Sequence, residues 1–255
     1  MEKKLSYDIS YSQLKTWRKY ENWALYTSVS CSVLKPMVLH FNLGSVYCII
    51  NFLFCLSLAM YGILFVGVEI FLQPRVATER QKGLLDNSLG TKLLIDDTEG
   101  YYDNDNVPVG AKKLLVNTFE NCFFTYSIMK KMLPRIAVWN IVIFVVLLCI
   151  AYCGYMKSQI AMALLQLFFS TIFFRRLMYH ISFYLRLKEL QDQFIHLFSS
   201  KYVTEKELAD NGYYYALMYE TALAYNKAPN SDKVYEASKN ELNKKWSIMK
   251  KRYGI

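Results

Sequence analysis

The residues with chemistry to offer are cations set among aromatic rings. Lys112 and Lys113 open one helical segment, and Lys244, Lys245, Lys250, Lys251 and Arg252 crowd the C-terminus. Tyr213, Tyr214 and Trp246 are the candidate stackers. Single-stranded nucleic acid is held by such pairs: cations track the phosphates, and each ring that stacks on a base contributes about 1–3 kcal/mol. A bland reading competes. Lysines near a cytoplasmic leaflet gain about 1 kcal/mol apiece from anionic lipid, and tyrosines pack helices. Composition does not separate the two.

A second cluster is acidic: Asp96, Asp97, Glu99, Asp103 and Asp105. It misses the EF-hand spacing, because Gly100 follows the wrong partners. Solvated turn residues are its ordinary role, with a metal-assisted enzyme using Asp103 and Asp105 as the rival. Tyr101 and Tyr102 beside it can stack on a base or simply pack. Cys31, Cys48, Cys55, Cys122, Cys149 and Cys153 form no C-x-x-C pair, and His40, His180 and His196 are far apart. No disulfide framework, metal centre or cofactor is expected. There is no glycine-rich phosphate loop and no G-x-S-x-G elbow. Cys122 has no histidine partner at a catalytic spacing. Enzymes are the weaker class.

These residues are positioned by a chain whose charge is unevenly spread. Of 255 residues, 54% are hydrophobic, and the net charge is +9. From Met37 to Leu72 the one formal charge is Glu69. That stretch exceeds the roughly 20 residues of one crossing, so two helices are expected, the first starting near Val29, with Lys35 snorkelling. Asn42, Gly44 or Asn51 would mark the bend. Ile136–Tyr155 is free of charge, and Gln159–Phe174 follows after a turn with one lysine. Lys130, Lys131 and Arg135 flank this second hairpin on one side, and Arg175, Arg176, Arg186 and Lys188 on the other. The positive-inside rule puts both flanks in the cytoplasm. The first block is likewise basic at both ends, which requires an even number of crossings.

The expected architecture is an all-α membrane protein. Residues 1–28 form an N-terminal interfacial helix or a soluble helix packed on the rest. Two transmembrane hairpins, 29–73 and 136–176, flank a helical cytoplasmic insert, 74–135, and a helical tail follows at 177–255. Leu114, Leu115, Phe119, Phe123 and Ile128 mark the packing face of the insert's second helix. Leu185, Leu187, Leu190 and Phe194, then Val234, Leu242, Trp246 and Met249, do so in the tail. Polar residues inside the spans, Asn51, Glu69, Asn140 and Gln166, are pore-lining candidates. The alternative is that they bond between helices.

Three short segments carry a family resemblance: R-Q-K-G-L-L-D-N-S-L-G-T at 80–91, G-Y-Y-D-N-D at 100–105 and N-T-F-E-N at 117–121. With the four-span layout, they resemble the four-transmembrane effectors of bacterial nucleotidyltransferase-linked anti-phage defence, most closely the membrane channels of Hailong-type systems. The resemblance implies a homo-oligomeric ion channel in the bacterial inner membrane, with both termini cytoplasmic. It further implies a block by a short single-stranded DNA or other oligonucleotide made by a partner nucleotidyltransferase. Infection would release the block and depolarise the cell. No binding residue carries over. The alternative class is a non-conducting membrane scaffold that recruits a soluble enzyme through its tail.

Overall fold

A computed structural model describes residues 8–95, 104, 106–152, 174–200, 204–225 and 231–255. Gln166, the acidic residues Asp96, Asp97, Glu99, Asp103 and Asp105, and most of the second arm of the expected second hairpin lie outside them. Every regular element among the described residues is helical. In chain order these are α1 (Asp8–His40), α2 (Gly44–Leu89), α3 (Ala111–Tyr152), α4 (Phe174–Ser199), α5 (Glu205–Tyr225) and α6 (Asp232–Tyr253). They fall into two compact units, one within Met1–Gly83 and Leu94–Tyr101, the other within Leu84–Leu93 and Tyr102–Ile255.

The first unit is a long antiparallel pair. Its turn is Phe41–Asn42–Leu43, where Asn42 takes the left-handed conformation (φ 55°) that asparagine tolerates better than most residues. The bend is therefore at Asn42 and Gly44, while Asn51 lies inside α2. Contacts then run down the arms in step: Lys35 Nζ lies 3.6 Å from the Phe54 ring centre, Arg18 reaches Glu69 at 2.6 Å, and Ser10 bonds Glu79. The expectation of a separate element at 1–28 is corrected for the described part. Asp8 to His40 is one helix, and its polar half packs on α2 because Arg18 has a carboxylate there to answer it.

α2 is the one described helix long and apolar enough to cross a membrane. It leaves Ile49, Phe52, Ile63 and Phe71 60–69% exposed, more contiguous apolar surface than water-facing helices leave open. Gly67–Leu72 forms a π-helical turn within it. Gly90 (φ 68°) ends it, its N–H bonding the Asp86 carbonyl at 3.0 Å, a left-handed glycine stop.

The second unit is a four-helix bundle. The first two-thirds of α3 is amphipathic and supplies Leu115, Phe119, Cys122, Phe123 and Met129 to the core. α4 runs antiparallel to it, pairing Tyr126 with Tyr184 and Phe119 with Phe194. α6 is also antiparallel: Lys131 bonds Ser238 and Glu241, while Phe119 meets Trp246 and Tyr253. α5 runs parallel, with Gly212 on Ala111 and Tyr219 on Thr125. A Cβ at Gly212 would lie 2.3 Å from the Ala111 carbonyl oxygen, so only glycine permits that approach. α5 starts with a capping box, Thr204 and Glu207 bonding reciprocally at 2.8 and 3.2 Å. Leu185, expected to pack, is exposed instead, facing away from α3.

The boundary expected near residue 135 is not a break. α3 continues through Pro134 into the charge-free run Ile136–Tyr152. The insert's second helix and the tail thus share one core, and among the described residues one antiparallel pair is seen where two transmembrane hairpins are expected.

Candidate functional site

The pore-lining candidates meet different fates. Glu69 sits in the π-helical turn, which bulges the helix and turns this carboxylate toward α1. There it bonds Arg18, whose guanidinium also holds Glu21 at 3.2 Å and the Gln73 amide oxygen. Two carboxylates and an amide oxygen share this partly exposed cation, at the point where α2 becomes free of charge. Asn51 is exposed among apolar neighbours. Asn140 is buried; its Nδ2 donates to the Ile136 carbonyl of its own helix at 2.8 Å, and among the described residues its Oδ1 has no partner.

The ligand candidates converge in part. The antiparallel run of α6 carries Lys250, Lys251 and Arg252 toward the end of the bundle where α3 begins with Lys112 and Lys113. The Gly212–Ala111 contact brings Tyr213 and Tyr214 to that same end. Both tyrosines are more than half exposed, as stacking requires. Lys251 and Arg252 are also exposed, the latter 5.9 Å from the Tyr253 ring.

Two candidates are corrected. Trp246 is 3% exposed, lying edge-on to Phe119 and stacked on Phe123. It cannot stack on a base, because its faces are spent on the core. Lys113 is 7% exposed and stands inside the bundle end. Lys245 is held by Glu241 at 2.5 Å, and the same carboxylate takes Lys131 at 2.7 Å. These two ammonium groups hold the Glu241 carboxyl down at about 2. Lys244 is exposed but stands about two turns short of the cluster.

Sequence reasoning missed a buried amide network. Asn117 donates from Nδ2 to Asn87 Oδ1 and Ser88 Oγ, both at 2.9 Å, and accepts from Asn104 Nδ2 at 2.9 Å. Asn104 also reaches Glu120 at 2.7 Å. Ser88, Asn104 and Asn117 are fully buried. The network joins the last turn of α2 to the first turns of α3, and its members come from the three segments that carry the resemblance. The available signal was asparagine recurring in each of them.

No acyl- or metal-type chemistry gathers among the described residues. Cys122 is buried, its thiol 3.8 Å from the Leu187 carbonyl, and burial pushes it far above the normal thiol range. No group of three or more metal-ligating side chains is present there. Comparison with protein families, curated proteins and solved structures finds no match to this chain.

Proposed function

We propose that the protein is a homo-oligomeric ion channel of the bacterial cell membrane. In this reading it acts as an anti-phage effector whose bundle receives a nucleotide-derived ligand such as a short DNA oligomer. The observation that carries it is α2: a helix apolar enough to span, with its Gly44–Val66 part openly apolar and the partly buried Arg18–Glu69 pair just beyond it. α1 is suited to cross beside it. Asn22–Leu34 holds no charge, and the Phe54 ring covers the Lys35 ammonium, a contact that grows stronger once desolvated. The family resemblance supplies the defence role and the nucleotidyltransferase partner. Purified protein in planar bilayers should carry current. Silent bilayers, with and without short single-stranded DNA, would count against it.

A non-conducting scaffold has its own support. α5 leaves Tyr213, Tyr214, Leu217 and Tyr225 more than half exposed, a surface fit for a protein partner. Expression without a partner gene discriminates: an open channel depolarises the cells, and a scaffold does not.

A further inference from the structure

On α2 the Asn51 side chain is exposed and makes no hydrogen bond to a described residue. We infer that it bonds the Asn51 of a second copy, and that the side of α2 carrying it is the contact between copies. The inference rests on the reading of the chain as a homo-oligomer with α2 in the bilayer.

Depth excludes the simpler partners. Gly44–Val66 is 23 residues long, about 34 Å at 1.5 Å per residue, against a hydrocarbon core of about 30 Å. Asn51 lies two turns in from Gly44, roughly 10 Å. Its side chain is too short to reach a headgroup layer, as a snorkelling lysine does. Lipid tails offer no donor or acceptor, and an amide left unbonded among them is strongly unfavourable. An amide both donates and accepts, so Asn51 is its own complement across a two-fold axis. Each copy carries the same basic flanks and inserts the same way round. A second copy therefore brings the matching group at the matching depth.

The surroundings suit a close approach. Ser57 and Leu64 are the buried positions on this length of α2. At roughly 100° per residue, Cys48, Asn51, Cys55, Ala59 and Gly62 fall on the side turned from them, and all five are exposed. A Cβ on Gly62 would meet nothing within 4 Å, and its φ is not left-handed. Nothing within the chain calls for glycine there, a poor helix former. Small residues let a second helix's backbone come near in a membrane.

The test uses the full chain in lipid vesicles. With Cys48, Cys149 and Cys153 changed to Ser, Cys55 is the exposed thiol on α2, while Cys31 and Cys122 are buried. Cys55 lies one turn from Asn51, so mild copper–phenanthroline oxidation should link it to the Cys55 of a second copy. Asn51→Leu should weaken association by roughly 3- to 30-fold, what one interhelical hydrogen bond contributes in a membrane. Asn51→Gln should recover part of that. Gly62→Leu should abolish the link and leave helix content unchanged. Moving the thiol to the flank, as Cys55→Ser with Ile63→Cys, should give no link. Linking that survives Asn51→Leu combined with Gly62→Leu overturns the inference. An oligomer that persists by light scattering while Cys55 stays unlinked also overturns it, and keeps the homo-oligomer. So does rapid labelling of Cys55 by a charged thiosulfonate, which puts this side of α2 on a water-filled lumen. A chain that stays monomeric at every lipid dilution, or does not float with vesicles, refutes the underlying reading and the inference with it.

Discussion

Asn117→Ala should loosen the end of α2 from the bundle. The side chain is fully buried and makes three hydrogen bonds of 2.9 Å. Removing it strands the Ser88 hydroxyl outright, since Ser88 is fully buried, and takes one of two bonds from Asn104, which keeps Glu120. Asn87 is only half-buried and can turn to water. One orphaned group and one weakened group, at about 1–3 kcal/mol for each buried polar group left unmade, give a loss of roughly 2–4 kcal/mol. For a unit of this size that is a fall in Tm of roughly 5–15 °C, read by circular dichroism of the detergent-solubilised chain. Asn117→Asp separates bonding from shape. It keeps the acceptor for Asn104, and the Ser88 hydroxyl can turn to donate to it, but it buries an unpaired charge and points oxygen at Asn87 Oδ1, so it should melt lower than the alanine variant at neutral pH. Protonation should bring it partway back at low pH. An alanine variant within about 1 °C of the parent protein, or an aspartate variant more stable than alanine at neutral pH, would refute the network as a source of stability.

Gly212→Ala should cost about 1–3 kcal/mol by overpacking, because the new Cβ meets backbone, and a proteolysis assay should show α5 cut first. Arg18→Met should lower hairpin stability more than the double change Arg18→Met with Glu69→Gln, since the single change removes the cation that Glu21 and Glu69 share and keeps both carboxylates; melting of the pair gives the coupling. Glu241 has a folded pKa of about 2, below the ordinary carboxylate value, so its contribution is complete above pH about 4.5 and is lost as pH falls toward 2. Trp246 fluorescence should follow that loss, and Lys131→Met should shrink it. Cys122 should resist maleimide in the native protein and react once the bundle is unfolded.

The bundle was legible because its helices keep a regular apolar stripe. Leu114, Leu115, Phe119, Phe123 and Ile128 all sit in the core as periodicity requires. The N-terminal helix was legible as a helix, but its continuation to His40 and its partner were not. Lys15, Arg18, Lys19 and Glu21 give it the look of a surface helix, and nothing local says that Arg18 answers Glu69, 51 residues away. Glu69 itself held the clue: a lone carboxylate in an apolar block needs a cation from elsewhere. Trp246 satisfied two patterns at once, a basic-aromatic tail and an apolar stripe, and the stripe won because burying an indole gains more than exposing it. The amide network escaped because asparagine is common in turns. It shows that residues of the segments bearing the resemblance tie the end of α2 to the start of α3.

The unbroken course of α3 has a mechanical consequence. Its 42 residues make a rod of roughly 63 Å, clamped by three neighbours over its first half and charge-free over its last turns. The weak point is Pro134, which removes one backbone hydrogen bond where clamp gives way to apolar run. A lever with that fulcrum has gain: a bend of roughly 10° at the proline swings Tyr152 by about 5 Å. Small strains at the bundle are thereby delivered at the far end as displacements on the scale of a side chain.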